Sequence, residues 1–158
     1  MIHVKAPHRY DVDLFSIFLG GSIEMNKAEN WQQRLANDLA NEEVLLLNPR
    51  RDDWDSSWVQ DPTPGTQFHT QVTWELKAQD VADLIVYYFD PATISPITLL
   101  ELGAYGYAEP EAVVVCCPKE YFRYGNVAIF CERYDIVLTH SYDELLTYIK
   151  QSIQDASI

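Results

Sequence analysis

Glu101 is the one charged residue between Pro91 and Tyr107, set in the run Ile97-Thr-Leu-Leu-Glu-Leu-Gly-Ala-Tyr-Gly-Tyr. On a helical wheel its neighbours are apolar or small on every side. Burying a carboxylate costs several kcal/mol unless it is paired or its pKa moves, so this placement calls for a compensating reason. Two remain open at this point: an acid or nucleophile directed at a ligand, or a structural carboxylate hydrogen-bonded to a neighbouring loop.

Other residues could join it. Gly103, Ala104, Gly106 and Ala108 give the same segment a small-residue flank, which admits a close neighbour; tight packing onto a sheet is the simpler expectation. Gly20-Gly21-Ser22 closes an apolar run and could hold a phosphate or a sugar near a helix start, or merely turn the chain. It is not a G-x-G-x-x-G fingerprint, so a dinucleotide is not indicated. Asn48-Pro49-Arg50-Arg51-Asp52-Asp53-Trp54 gathers two guanidiniums, two carboxylates and an indole. Arg50, Asp53 and Trp54 could stack on and hydrogen-bond a heterocycle, though a solvated loop would look the same. The four histidines, His3, His8, His69 and His140, are scattered, and neither Cys-x-x-Cys nor G-x-S-x-G occurs. No metal or cofactor is expected.

The elements that must position these groups alternate. Phe15 to Leu19 reads as a buried strand, and Ala28 to Asn41 as an amphipathic helix with Trp31, Leu35, Ala36 and Leu39 on one side. Val44 to Leu47 is a second strand. Arg50 to Gly65, with four aspartates, two tryptophans and two prolines, reads as a long surface loop. A helix from about Phe68 to Gln79 is expected to bury Val72, Leu76 and Gln79. Leu84 to Phe89 is a strand covered on both faces. Ser95-Pro96 makes a serine-capped helix start, and that helix runs to about Ala108. Ala112 to Cys117, Phe122 to Glu132, Ile136 to Leu138 and Tyr142 to Ile153 complete the pattern as strand, helix, strand and helix.

Such alternation implies an α/β fold, a flavodoxin- or Rossmann-like three-layer sandwich on a five-stranded parallel sheet in flavodoxin-like order. Ligands in such folds sit beyond the carboxyl ends of the strands. Ser22, the loop from Arg50 and the Asp90 to Ser95 turn all emerge there.

Composition bounds the partners. Residues 1–158, 47% hydrophobic and 22% charged, suit a single domain. A net charge of −13 repels phosphate backbones and anionic lipid surfaces, which argues against nucleic-acid polymers and membranes. Met1 to Leu14 lacks a secretory apolar core, and Cys116, Cys117 and Cys131 read as reduced buried thiols. A cytoplasmic location is expected.

Four stretches, Ile17-Phe-Leu-Gly-Gly-Ser22, Glu75 through Asp83-Leu-Ile, Ser95 through Glu101-Leu-Gly, and Gly125-Asn126, make the sequence resemble the nucleoside 2-deoxyribosyltransferases and their nucleoside 5′-monophosphate N-glycosidase relatives. The Glu-Leu-Gly element with its upstream polar residue is the more specific, and a divergent branch is the closest likeness. The resemblance implies that Glu101 attacks the anomeric carbon of a 2-deoxyribonucleoside, forming a covalent deoxyribosyl-enzyme. A second base would then attack with retention of the β configuration. Glu75 matches a family aspartate at the nucleobase, which implies base contact or proton donation.

Ser95 stands six residues before Glu101, where transferases commonly carry a sugar-binding aspartate and the monophosphate hydrolases a phosphate-binding serine. Asn126 matches an asparagine that reaches a neighbouring subunit's sugar, implying a homo-oligomer built from dimers, up to a tetramer or hexamer. Gly21, Ser22, Arg50, Asp53, Trp54, Ser95, Thr98 and Asn126 make up the expected substrate-binding set. The family's strand-one tyrosine falls at Phe18, so Ser22 or Tyr10 would have to orient the nucleophile.

The leading expectation is transfer of 2-deoxyribose between bases, in nucleotide salvage, with nucleosides and nucleobases as small-molecule partners. Hydrolysis of a nucleoside 5′-monophosphate, with Ser22 and Ser95 as phosphate ligands, is the alternative. A non-catalytic nucleotide-sensing domain is the third.

Overall fold

The computed structural model describes residues 1–24, 28–53 and 57–158. Six strands form one sheet: β1 (Ile2–Lys5), β2 (Phe15–Gly21), β3 (Val44–Asn48), β4 (Leu84–Tyr88), β5 (Val113–Cys116) and β6 (Val137–Thr139). Their order is β1-β3-β2-β4-β5-β6 and every pairing is parallel. Among the described residues four α-helices connect strands, α1 (Trp31–Asp38), α2 (Gln67–Val81), α3 (Pro96–Ala108) and α4 (Tyr124–Tyr134), and a fifth, α5 (Tyr142–Ala156), follows β6.

Helices lie on both faces, and period-two alternation in the strands decides which residues meet which helices. Ile17, Leu19, Leu46, Val86 and Val114 pack with Trp31 and Leu35 of α1 and Leu145 and Ile149 of α5. Phe18, Leu45, Leu47, Ile85, Tyr87 and Val115 pack on the other face with Trp74 and Ala78 of α2, Leu102 of α3 and Val127 and Cys131 of α4. Strands buried on two faces read as unbroken apolar runs, which is why β2 to β5 are legible.

The sheet has six strands where five were expected. The additional one, β1, pairs with β3 at the sheet edge in the register Ile2 to Leu45 through Lys5 to Asn48. The sequence Ile-His-Val-Lys carries no apolar run because an edge strand is held by its backbone while half its side chains face water. Lys5 reaches out to Asp52 at 2.7 Å.

At the opposite ends of β2 and β4, the Asp83 carboxylate accepts from the Ser16 amide and hydroxyl, both at 2.8 Å, and the Asp83 amide donates to the Ser16 hydroxyl at 3.1 Å. That clasp fixes the register in which Gly20 lies opposite Tyr87 and Gly21 opposite Tyr88. The two strands diverge in connection here, β2 toward α1 and β4 toward α3. The carboxyl ends of β2 and β4 therefore form the switch point at which a ligand crevice is expected.

Two helices differ from expectation in ways that bear on the site. In α2 the buried residues are Gln71, Trp74, Ala78 and Gln79, while Leu76 is exposed. The helix buries a polar row and leaves a leucine outside. Ser95 precedes α3 but caps no amide: it adopts a left-handed conformation, φ 46° and ψ 55°, and its hydroxyl turns elsewhere.

Candidate active site

Glu101 enters the site from the middle of α3 and is only 8% exposed. Its Oε1 accepts a hydrogen bond from Gln79 Nε2 of α2 at 3.0 Å. No ion pair involves it among the described residues. Burial, then the neighbouring charge of Glu75, push its carboxyl up to about 8, opposed by the Gln79 hydrogen bond. A neutral amide can steady the anionic form without neutralising it, while burial favours the protonated form at rest.

Glu75, one turn before Gln79 on α2, is a second carboxyl raised by desolvation, and Gln71 donates to its Oε1 at 2.6 Å. Gln71 Nε2 also donates to the Pro49 carbonyl at 2.9 Å, anchoring α2 to the chain leaving β3. Gln71, Glu75 and Gln79 thus form a polar row at four-residue spacing that ends on Glu101. Gln79 is completed by Tyr87 of β4, whose hydroxyl donates to Gln79 Oε1.

A second cluster lies at the start of α3. The buried hydroxyls of Ser22, Thr93 and Ser95 bond one another, with Ser22 to Thr93 and Thr93 to Ser95 each at 2.7 Å. The Ser22 hydroxyl also accepts from the Asp90 amide at 2.9 Å. The Glu24 carboxylate accepts from the Ile94 and Ser95 amides at 2.8 and 2.6 Å. An internal anion therefore occupies the amides that a bound anion would seek.

Gly21 carries the turn between β2 and this cluster. Its φ of +140° suits glycine, and a Cβ there would sit 2.3 Å from the Tyr88 carbonyl oxygen. Thr98 is buried on the turn of α3 between Ser95 and Glu101. Six residues of helix separate Ser95 from Glu101, roughly 9 Å of rise.

The remaining expected residues divide. Arg50 is half-buried; its amide donates to Asn48 Oδ1 at 2.9 Å and its guanidinium reaches Gln32 Oε1 at 3.5 Å. Asp53 is taken up by Arg51 at 2.8 Å, which holds its carboxyl below the ordinary range. Trp54 lies outside the described residues. Asn126 is exposed near the start of α4 and makes no hydrogen bond to Glu101, Ser22 or Ser95 among the described residues. Of the two hydroxyls expected to orient Glu101, Ser22 is bonded to Thr93 and Ser95, and Tyr10 sits edge-on to Trp74 at 5.7 Å. Neither donates to the carboxyl.

The small-residue flank splits as well. A Cβ on Gly106 would lie 2.9 Å from Ile136 and 3.0 Å from Phe130, so that glycine permits close packing, whereas Gly103 faces open space. Two surface depressions, of about 550 Å³ beside α5 and about 340 Å³ where the loop after Ser57 meets the start of α2, are not lined by Glu101 or Glu75. Among the described residues no hydrogen bond to Glu101 Oε2 is found, and the buried side-chain atoms without a partner are Gln32 Nε2 and Gln71 Oε1. No group of three His, Cys, Asp or Glu side chains among the described residues could hold a metal ion. No helix there is long and apolar enough to cross a membrane.

A family model described as nucleoside 2-deoxyribosyltransferase like matches residues 14–121. The chain belongs to this family. The matched span runs from β2 to the turn before α4, and so contains Glu75, Gln79, Tyr87, Ser95 and Glu101. No individual curated protein matches the chain significantly. Membership in the nucleoside 2-deoxyribosyltransferase-like family points to an enzyme of glycosyl-transfer or glycosidase type. Sequence reading missed Gln79, Tyr87, Thr93 and Glu24. The first two had a visible signal: glutamines at four-residue spacing from Glu75, and a tyrosine whose hydroxyl had to find a partner inside an otherwise aliphatic strand.

Proposed function

We propose that the protein transfers 2-deoxyribose from one nucleobase to another through a covalent deoxyribosyl ester on Glu101, with retention of the β configuration. The ionised carboxylate attacks the anomeric carbon, forming a C–O bond as the glycosidic C–N bond breaks. The departing base takes the electron pair and a proton from Glu75. An incoming base then attacks the same carbon and gives its proton to Glu75, and the ester bond returns its electrons to Glu101. Developing positive charge on the sugar favours the ionised form of Glu101 in the transition state, which its surroundings disfavour at rest.

The observation that carries this reading is a buried carboxyl, Glu101, beside a half-buried one, Glu75, both raised, with an amide and, among the described residues, no cation on the nucleophile. Incubation with deoxyinosine and adenine tests it. A new deoxynucleoside is the expected product, and free sugar alone would instead indicate hydrolysis. For hydrolysis of a 5′-monophosphate, Ser22 and Ser95 would have to exchange each other for phosphate, beside a carboxylate already seated on the amides of Ile94 and Ser95. That arrangement favours an uncharged 5′ end.

We further propose a homo-oligomer whose interface includes the outer faces of α3 and α4. Ile97, Leu100 and Tyr107 of α3 and Phe122 and Ile129 beside and on α4 are all more than half exposed. Tyr107 of α3 meets Tyr134 of α4 edge-on at 5.6 Å, linking the two helices, and Asn126 is exposed on α4. Sedimentation of the Leu100→Lys variant tests it: the variant is expected as a monomer, and an unchanged assembly would exclude this face.

A further inference from the structure

An amide that holds a carboxylate has two ends, and only one of them is compatible with an anion. Gln79 Nε2 donates to Glu101 Oε1 at 3.0 Å and to the Glu75 carbonyl of its own helix at 3.2 Å. Gln79 Oε1 accepts from the Tyr87 hydroxyl. All three groups are buried, at 2% for Gln79, 0% for Tyr87 and 8% for Glu101. The Tyr87 phenol, pushed far up by burial and by the charge of Glu101, keeps its proton and donates here. An ionised Glu101 can only accept, so the NH2 of Gln79 faces α3 and its carbonyl faces β4.

We infer that Tyr87, acting through Gln79, is the positioning group that presents Glu101 with a fixed donor and so favours the anionic nucleophile, in place of a hydroxyl bonded to it directly. The inference rests on Glu101 being the nucleophile. Three sequence choices make room for the arrangement. Phe18 leaves β2 without a hydroxyl at the position facing this helix layer. Gly20 lies opposite Tyr87 in the sheet register, and a Cβ there would sit 2.9 Å from both the Phe18 and Tyr87 rings. Gln79 replaces what would otherwise be an apolar core position in α2, where neighbouring Ala78 is wholly buried.

Loss of the phenol hydroxyl leaves Gln79 Oε1 a buried acceptor without a donor, a costly state. The donor within reach is then Glu101 itself in its protonated form, reached when the amide turns over. The chain also transmits polarisation, since a donor on the amide oxygen strengthens the amide N–H as a donor to the carboxylate. Removing Tyr87's hydroxyl thus shifts Glu101 toward its neutral state. The other titratable groups facing Glu101 are Glu75 on α2 and Tyr105 on its own helix, the latter bonded to Asp80 at 2.7 Å. None of these changes in a Tyr87→Phe variant.

The test is a carbon-13 NMR titration of the Glu101 carboxyl, assigned by its loss in Glu101→Gln, in wild type, Tyr87→Phe and Gln79→Met. Both variants are expected to move the Glu101 midpoint upward by about one pH unit, and the double variant no further, because both break the same link. For nucleoside turnover at neutral pH, kcat is expected to fall roughly tenfold with KM little changed. Tyr88→Phe, whose ring stacks on Trp31 at 4.9 Å on the other face of the sheet, is the control and should leave the midpoint in place. An unmoved midpoint in Tyr87→Phe, or additive shifts in the double variant, would overturn the inference. A moved midpoint in a protein without transferase activity would uphold the link while sinking the proposed reaction, so the two failures are distinct.

Discussion

Glu101 on α3 feels the charge of Glu75 on α2, and neither carboxyl is in an ion pair among the described residues; burial raises both, and the charge of Glu75 raises Glu101 further. A like charge nearby makes the ionised form of a desolvated carboxyl still less favourable. Replacing Glu75 by Gln removes one charge while keeping a similar shape. The Glu101 midpoint, about 8 in the wild type, is expected to fall, read by carboxyl NMR. Turnover should nevertheless drop about a hundredfold, because the proton for the leaving base is gone, and least for bases that leave readily without protonation.

Glu101 costs stability where it is most useful. Its folded-state pKa of about 8 lies above its unfolded value, so the folded chain binds the extra proton. The favourable contribution is present below the unfolded pKa near 4.5 and is lost as pH rises toward 8. A tenfold difference in proton affinity between the folded and unfolded chain corresponds to about 1.4 kcal/mol. Glu101→Gln is therefore expected to melt at a higher temperature than wild type at pH 8 and at nearly the same temperature at pH 4.5. Scanning calorimetry at the two pH values checks this, and the same variant should lose transfer by orders of magnitude.

Of the two glycines ending β2, each tolerates no side chain for a different reason. Gly21→Ala places a Cβ against the Tyr88 backbone at a positive φ, and about 2–5 kcal/mol of stability should be lost. Gly20→Ala presses on the Phe18 and Tyr87 rings, which can shift a little, so about 1–3 kcal/mol is expected. Urea unfolding of the two variants should rank them in that order, and Gly20→Ala should also disturb the Glu101 titration.

Glu24 bears on the choice of substrate. A 5′-phosphate at the start of α3 would meet its carboxylate, and two charges about 4 Å apart repel by roughly 1–4 kcal/mol between bulk water and a protein surface. A deoxynucleoside should thus be preferred over its 5′-monophosphate by about tenfold or more, and Glu24→Gln should narrow that preference. Competition between deoxyadenosine and its monophosphate in wild type and variant measures it.

The sheet was readable because four of its strands, β2 to β5, are buried on two faces and carry unbroken apolar runs, and because Ile136 to Leu138 keeps a short apolar run at the other edge. β1 was not, since an edge strand of four residues bonded through its backbone leaves no pattern in its side chains. Glu101 stood out as a charge without company, and Glu75 and Ser95 through the family resemblance. The roles of Gln79 and Tyr87 escape for the reverse reason: the sequence places Gln79 with Val72 and Leu76 on the buried side of α2 without a partner for it, while the helix turns Gln71 and Gln79 inward with Trp74 and Ala78, and Gln79 bonds Glu101. Patterns of hydrophobicity locate a core, and a polar site inside that core breaks the pattern. Ser95 shows the same limit, because a serine before a proline looks like a cap until its hydroxyl is seen turned toward Ser22 and Thr93.

Esterification of Glu101 by the sugar is the step on which the proposed reaction depends. A 2-deoxy-2-fluoroarabinosyl nucleoside traps it, since the fluorine destabilises the cationic transition state and slows release of the sugar ester. After incubation, proteolysis and mass spectrometry should find one 2-deoxy-2-fluoroarabinosyl group on the peptide containing Glu101, absent in Glu101→Gln and discharged when a free base is added. An active protein that yields no such adduct, or carries it on another residue, would rule out Glu101 as the nucleophile.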